Sequence, residues 1–194
     1  MIKGIISFVM DMLETIVFVG AMFIVINLYI LQPSQVRGSS MIPTLNDSDR
    51  IFVSRVTYKL RAPQRGDIVV LKSPSNPDIE FVKRVIGIPG DKIYFNNCQE
   101  PYQTECEIHV NGVKLNETYI KDKTQLYENS IYQQDQQFTI PEGDLFVMGD
   151  NRTGSLDSRI FGPIPQKDII GVVFFRYFPT SLAGSMKNPY DQLK

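Results

Sequence analysis

Residues 15–31 read TIVFVGAMFIVINLYIL, an apolar run without a charge and interrupted only by Asn27. With Leu13 ahead of it, the run approaches the ~20 apolar residues that an α-helix needs to cross the hydrocarbon core of a bilayer. Such a segment must be buried in a core, shed as a signal peptide, or left in lipid. A cleaved signal peptide has a shorter apolar stretch and a small-residue exit site, whereas this run leaves through YILQPSQVRG. The expectation is an uncleaved anchor over about residues 13–31, within an N-terminal segment of residues 1–32, with the lipid bilayer as partner. A buried core helix and a mere tether stay open as alternatives. Lys3 precedes the run, with Asp11 and Glu14 against it. Only basic residues count toward orientation, so Lys3 alone points to a cytoplasmic N-terminus.

Past Pro33 the pattern changes to short alternating stretches rich in β-branched and aromatic residues: 50–56, 66–72, 79–88, 91–95, 107–115, 144–150 and 169–178. Proline and glycine punctuate them, and Asn111-Gly112 between alternating residues predicts a tight hairpin. No useful helical periodicity follows residue 33. The fold class expected is mainly β, an antiparallel sheet domain over residues 33–194 behind one N-terminal transmembrane helix. Around residues 96–137 lies a polar excursion, rich in Gln, Asn and Tyr after Asn116, which reads as an exposed cap and not as core.

The totals exclude several functions. Twenty basic residues against 21 acidic ones, with no run of either sign, leave no footprint for nucleic acid. Cys98, Cys106 and His109 are too few for a structural zinc site, which normally takes four such ligands. No metal and no cofactor are expected, and the chain is expected to act as a monomer. The two cysteines flank a polar loop and are either a disulfide in an oxidising compartment or two free thiols. The apolar anchor tilts this toward the bridge.

Chemistry enters with residues 38–45, GSSMIPTL. A serine hydroxyl is a weak nucleophile until a neighbouring base activates it. No G-x-S-x-G surrounds Ser40, and no lysine stands three residues after either serine, which removes two common serine arrangements. His109 sits two residues before the hairpin turn and reads as an ordinary strand residue. A lysine can serve if its amine is neutral, which requires burial in an apolar setting. In IEFVKRVIG, strand alternation puts Ile79, Phe81, Lys83 and Val85 on one face and Arg84 on the other. Lys72, Lys92 and Lys114 also fall on strands, but none is so enclosed. The plainer readings are that Lys83 lays its stem on the sheet and reaches solvent, and that Ser39-Ser40 is only a turn. A third stretch, MGDNRTGSLDSRIFGPI at 148–164, gathers Asp150, Asn151, Arg152, Asp157 and Arg159 at a strand exit.

Taken in order and spacing, GSSMIPTL, RGDIVVLKSP…FVKRVIGIPGD and GDNRTGSLDSRIFGPI resemble the motif boxes of bacterial type I signal peptidases. The single anchor is similar to the Gram-positive-type branch. The resemblance covers the anchor and most of residues 33–178, but neither the excursion nor the tail GSMKNPYDQLK. It implies a β domain of the signal-peptidase/LexA-like type, with Ser40 as nucleophile and Lys83 as general base. Ser155 matches the position that hydrogen-bonds the lysine, Asp157 and Arg159 match structural supports, and Arg84 with Asp150 matches a buried ion pair. Gly38 stands where some members carry a serine that donates to the oxyanion, with Ser39 beside the nucleophile. Met41, Phe81 and Val82 are the candidates for shallow apolar pocket walls.

The function implied is a serine endopeptidase that removes signal peptides from exported preproteins. Its expected place is the bacterial plasma membrane, single-pass, with the catalytic domain on the extracytoplasmic face. The alternatives are a dedicated processing peptidase for a pilus or conjugation substrate and a non-catalytic membrane-anchored binding module. A self-cleaving LexA-like repressor would need a DNA-binding helix-turn-helix where the apolar run stands.

Overall fold

In the computed structural model, residues 2–25, 31–99 and 105–190 are described. The chain starts with helix α1, Ile2–Val25, 24 residues long. At ~1.5 Å per residue this is ~36 Å, more than the ~30 Å hydrocarbon core. From Lys3 to Val25 it is long and apolar enough to cross a membrane, and none of it is buried against the rest of the protein. The helix begins well before Leu13, because nothing in IISFVMDML breaks it and Asp11 and Glu14 are tolerated on its surface. The expected C-terminal part of the anchor, 26–30, lies outside the described residues, and Leu31 already belongs to a strand.

Two antiparallel sheets follow. The larger takes β1 (Leu31–Gln35), β2 (Arg50–Ser54), β3 (Ile68–Lys72), β4 (Glu80–Gly87), β9 (Asp144–Met148), β10 (Ile164–Pro165), β11 (Ile169–Phe178) and β12 (Gly184–Ser185). Its order is β1-β2-β11-β3-β4-β9-β10, with β12 on β11. The smaller, β7-β6-β5-β8, is built from β5 (Lys92–Asn96), β6 (Glu107–Val110), β7 (Val113–Lys114) and β8 (Phe138–Thr139). The predicted stretch 107–115 is the hairpin β6–β7. Its turn residues Asn111 and Gly112 have φ of 52° and 82°, the positive values that a two-residue turn of this kind requires.

β11 joins the two halves of the large sheet, and its register slips at three places against β2 and β3. Bulges of this kind bend a strand and increase its twist, so the sheet curls. At Gly171 a side chain would meet the Ser54 carbonyl oxygen at 2.5 Å, so only glycine lets β2 come this close. Apolar side chains from both faces of β4 pack into separate clusters, Val82 beside Met41, Ile51 and Val70, and Phe81 with Val85 beside Val69 and Leu71. A third cluster, around Phe95, Ile108 and Phe146, joins the two sheets.

The polar excursion is not simply an exposed cap. Leu115, Thr124 and Leu126 are buried, and Tyr119 and Tyr132 pack against the third cluster. Cys98 and Cys106 are joined by a disulfide, Cα–Cα 4.0 Å.

Candidate active site

Ser40 stands on a tightly closed loop between β1 and β2. Val36 N–H donates to the Asp49 carbonyl at 2.8 Å, Ser48 N–H to the Val36 carbonyl at 2.9 Å, and Leu45 N–H to the Met41 carbonyl at 2.9 Å. Arg176 on β11 ties the loop to the sheet, donating to the Thr44 carbonyl and to Asp49, each at 3.0 Å. Gly38 and Ser39 are exposed, and Gly38 N–H is taken by Asp47 Oδ1 at 2.7 Å. Ser40 N–H makes no hydrogen bond among the described residues.

Lys83 arrives from the middle of β4. Its Nζ donates to Ser40 Oγ at 2.8 Å. The residue is only 3% exposed, and Nζ lies 5.1 Å from the centre of the Phe81 ring. Burial pushes the lysine pKa down to about 8, against the pull of the Asp157 charge and with Arg159 adding to the fall. The amine therefore neither snorkels to solvent nor keeps an ordinary lysine's proton affinity.

Behind the pair lies the loop after β9. Gly149 N–H donates to Asp157 Oδ2 at 3.0 Å. A side chain at Gly149 would meet Ser155 Oγ at 2.3 Å and the Ser40 carbonyl at 2.5 Å, so glycine is needed for the two strips of backbone to touch. Asn151 clamps the contact: its N–H donates to the Ser40 carbonyl at 3.0 Å and its Nδ2 to the Ser39 carbonyl at 3.1 Å.

Three buried ion pairs hold this loop. Arg84, on the face of β4 opposite Lys83, donates twice to Asp150, at 2.8 and 2.7 Å. Asp150 also accepts from Thr44 Oγ1 at 2.5 Å, which links the ion pair to the serine loop. Asp157 and Arg159 form a second, at 2.8 Å through both guanidinium contacts. Burial alone would raise the Asp157 pKa, but the Arg159 bonds, its charge and the Gly149 N–H hold it below the usual carboxylate range. Arg152 with Glu117 is the third.

Two expectations do not hold here. The hydrogen bond from Ser155 to Lys83 is not formed: Ser155 Oγ is buried beside Asp157 and helps to hold that carboxyl in its charged form. It sits over Gly149 near Asp157, while the lysine's bond goes to Ser40. Met41 is 1% exposed and belongs to the core, so it supports the serine loop from below and presents no wall to a substrate. Phe81 and Val82 do line a cleft of about 520 Å³, together with Ser34, Gln35, Ile51 and Val70.

Against known families, the model for signal peptidases, peptidase S26, matches residues 9–178. The chain belongs to the signal peptidase S26 family, and it is a serine endopeptidase. Among its relatives is signal peptidase IB of Staphylococcus aureus, 35% identical over 185 residues, 88% of this chain and 92% of that protein. Another is the probable signal peptidase I-1 of Synechocystis sp., 34% identical over 170 residues, 84% of this chain and 79% of that protein. A crystal structure of a signal peptidase I from Enterococcus faecalis is 34% identical and covers 58% of this chain and 97% of its own, with a TM-score of 0.42.

Thr44, Asn151 and Glu117 also bond into the site of this signal peptidase, and of the three the sequence singled out only Asn151, as one of a polar cluster. The first two lie inside the motif stretches, but only the fold shows what each one bonds. Glu117 lies in the polar excursion, where an acidic residue looks like solvent-facing loop.

Proposed function

We propose that this protein removes signal peptides from exported preproteins at the extracytoplasmic face of a bacterial plasma membrane. In this reading Ser40 is the nucleophile and Lys83 the general base. The observation that carries the assignment is the 2.8 Å contact between the Nζ of buried Lys83 and the Oγ of half-buried Ser40. Neutral Lys83 takes the Ser40 proton as Oγ attacks the scissile carbonyl, and the resulting ammonium returns it to the leaving amine. A water deprotonated by Lys83 then hydrolyses the acyl-enzyme. The free Ser40 N–H is one donor for the developing oxyanion. An ammonium has three donors, and the buried Ser155 Oγ supplies an acceptor for one of them once Lys83 is charged.

The cleft supports an extended substrate. β9 pairs with β4 only from Arg84 onward, so residues 80–83 are hydrogen-bonded on one side alone, to β3. β1 ends the sheet at the other side, and both strands border the cleft. A peptide strand can add to such an edge. The shallow walls of Phe81 and Val82 suit the small residues that precede a signal-peptide cleavage site. Helix α1 holds the site beside the bilayer from which the signal peptide emerges.

Purified full-length protein in detergent should cut a labelled preprotein at one bond, located by sequencing the new N-terminus. Ser40→Ala and Lys83→Met should each abolish cutting while the protein stays folded. Full activity in either variant contradicts the assignment.

A further inference from the structure

We propose that Glu117 and Tyr190, from the excursion and the C-terminal tail, are positioning residues for the catalytic serine, acting through Arg152 and the Gly149 carbonyl. The inference rests on the assignment of Ser40 as nucleophile.

Arg152 is wholly buried. Its Nε donates to the Gly149 carbonyl at 3.0 Å, and its two terminal nitrogens grip the Glu117 carboxylate, one of them at 2.8 Å. Thr124 accepts from Nη1 at 2.5 Å. Glu117 in turn is held by Tyr119 OH at 2.9 Å and by Tyr190 OH at 3.3 Å, and the two phenols touch each other. The ring of Tyr119 also lies under the Arg84 guanidinium, 4.2 Å from its centre.

Tyr190 reaches this place because the tail is fastened. β12 pairs with β11, Asn188 Nδ2 donates to the Arg65 carbonyl at 2.7 Å, and Tyr190 N–H donates to Asn188 Oδ1 at 2.8 Å. Two segments that carry no motif therefore meet at the Glu117 carboxylate, and the guanidinium it grips holds the peptide unit on which Ser40 rests. There is no slack at Gly149, where a single added carbon would overlap both Ser155 and the Ser40 carbonyl. A buried guanidinium that loses its carboxylate must find other partners, and any shift it makes is passed to Gly149 and so to Ser40. Displacing a reacting group by about 1 Å can cost about a hundredfold in rate. The substrate cleft is lined from β1 to β4 by residues outside this network, so the loss should fall on kcat and not on KM.

The test is steady-state kinetics of the full-length protein in detergent on a short peptide spanning a cleavage site. Glu117→Gln should lower kcat by about tenfold to a hundredfold with KM within about twofold of wild type. Tyr190→Phe, which keeps the ring and its packing, should lower kcat by about threefold or more, again with KM unchanged. Lys123→Ala, which removes only an exposed contact to Glu105 on the same excursion, should leave both constants alone. Each residue is judged by its own variant: kcat within about twofold of wild type, or a change in KM alone, overturns its role. If Glu117→Gln does not fold, Tyr190→Phe decides for the network. Ser40→Ala is run alongside: active Glu117 and Tyr190 variants beside a dead Ser40→Ala refute only this network, whereas an active Ser40→Ala refutes the nucleophile itself.

Discussion

At the scale of single residues, the site depends on which hydroxyl meets which amine. Lys83 was legible in the sequence because a strand's period of two is simple: Phe81 and Val85 flank it on one face and Arg84 leaves on the other, and Arg84 indeed turns to Asp150. What alternation could not reveal is the depth of burial, because the Ser40 loop that meets Lys83 lies 43 residues away in the sequence. Met41 shows the opposite failure. An apolar residue beside a nucleophile looks like a pocket wall, but here the loop folds it inward, beside Leu45 and Ile51. Ser155 yields a prediction about rate. Its buried hydroxyl makes no hydrogen bond to Lys83 while the amine bonds Ser40, and it lies by Asp157, whose charge it helps to hold. In Ser155→Ala kcat should fall, because the charged form of Lys83 loses an acceptor. An equally fast variant would contradict this role.

At the scale of elements, the positions of the strands were readable and their partners were not. Alternating apolar residues and the Asn111-Gly112 turn mark out β2 to β6, β9 and β11, because side-chain period and turn chemistry are local. The pairing of β11 between β2 and β3, and the meeting of the β9 exit loop with the Ser40 loop, are contacts between residues about a hundred apart, to which no local pattern points. The second of these contacts is the more exacting. Gly149→Ala forces a methyl group onto backbone, the Ser40 carbonyl at 2.5 Å, as well as onto Ser155. Overpacking of this kind costs about 1–3 kcal/mol. The account predicts a folded protein, with a lowered denaturation midpoint, that cuts preprotein at least about tenfold more slowly. Wild-type turnover in that variant would mean that the serine loop does not rest on Gly149.

At the scale of the whole molecule, an anchor and a catalytic body divide the work. Among the described residues, no residue of α1 from Lys3 to Val25 is buried against the body. Deleting residues 2–25 should therefore leave the melting temperature and the turnover of a short soluble peptide near wild type, while cleavage of a preprotein in liposomes should slow markedly. An equal loss on both substrates would show that the helix supports the fold. Within the body, buried charge is balanced in pairs. Arg84, Arg152 and Arg159 are all buried, and each faces a carboxylate, Asp150, Glu117 and Asp157. Lys83 sits among these matched charges without a carboxylate paired to it, and burial depresses its pKa against the pull of Asp157 and Asp150. A base whose pKa is lowered works when deprotonated, so activity should appear as pH rises through the folded-state value and be lost below it. The most direct measurement is an NMR titration of the lysine side-chain Cε signals in labelled protein, with Lys83→Met to assign the resonance. The account predicts that Lys83 titrates at about 8, and a midpoint near the ordinary lysine value of 10.5 would contradict it.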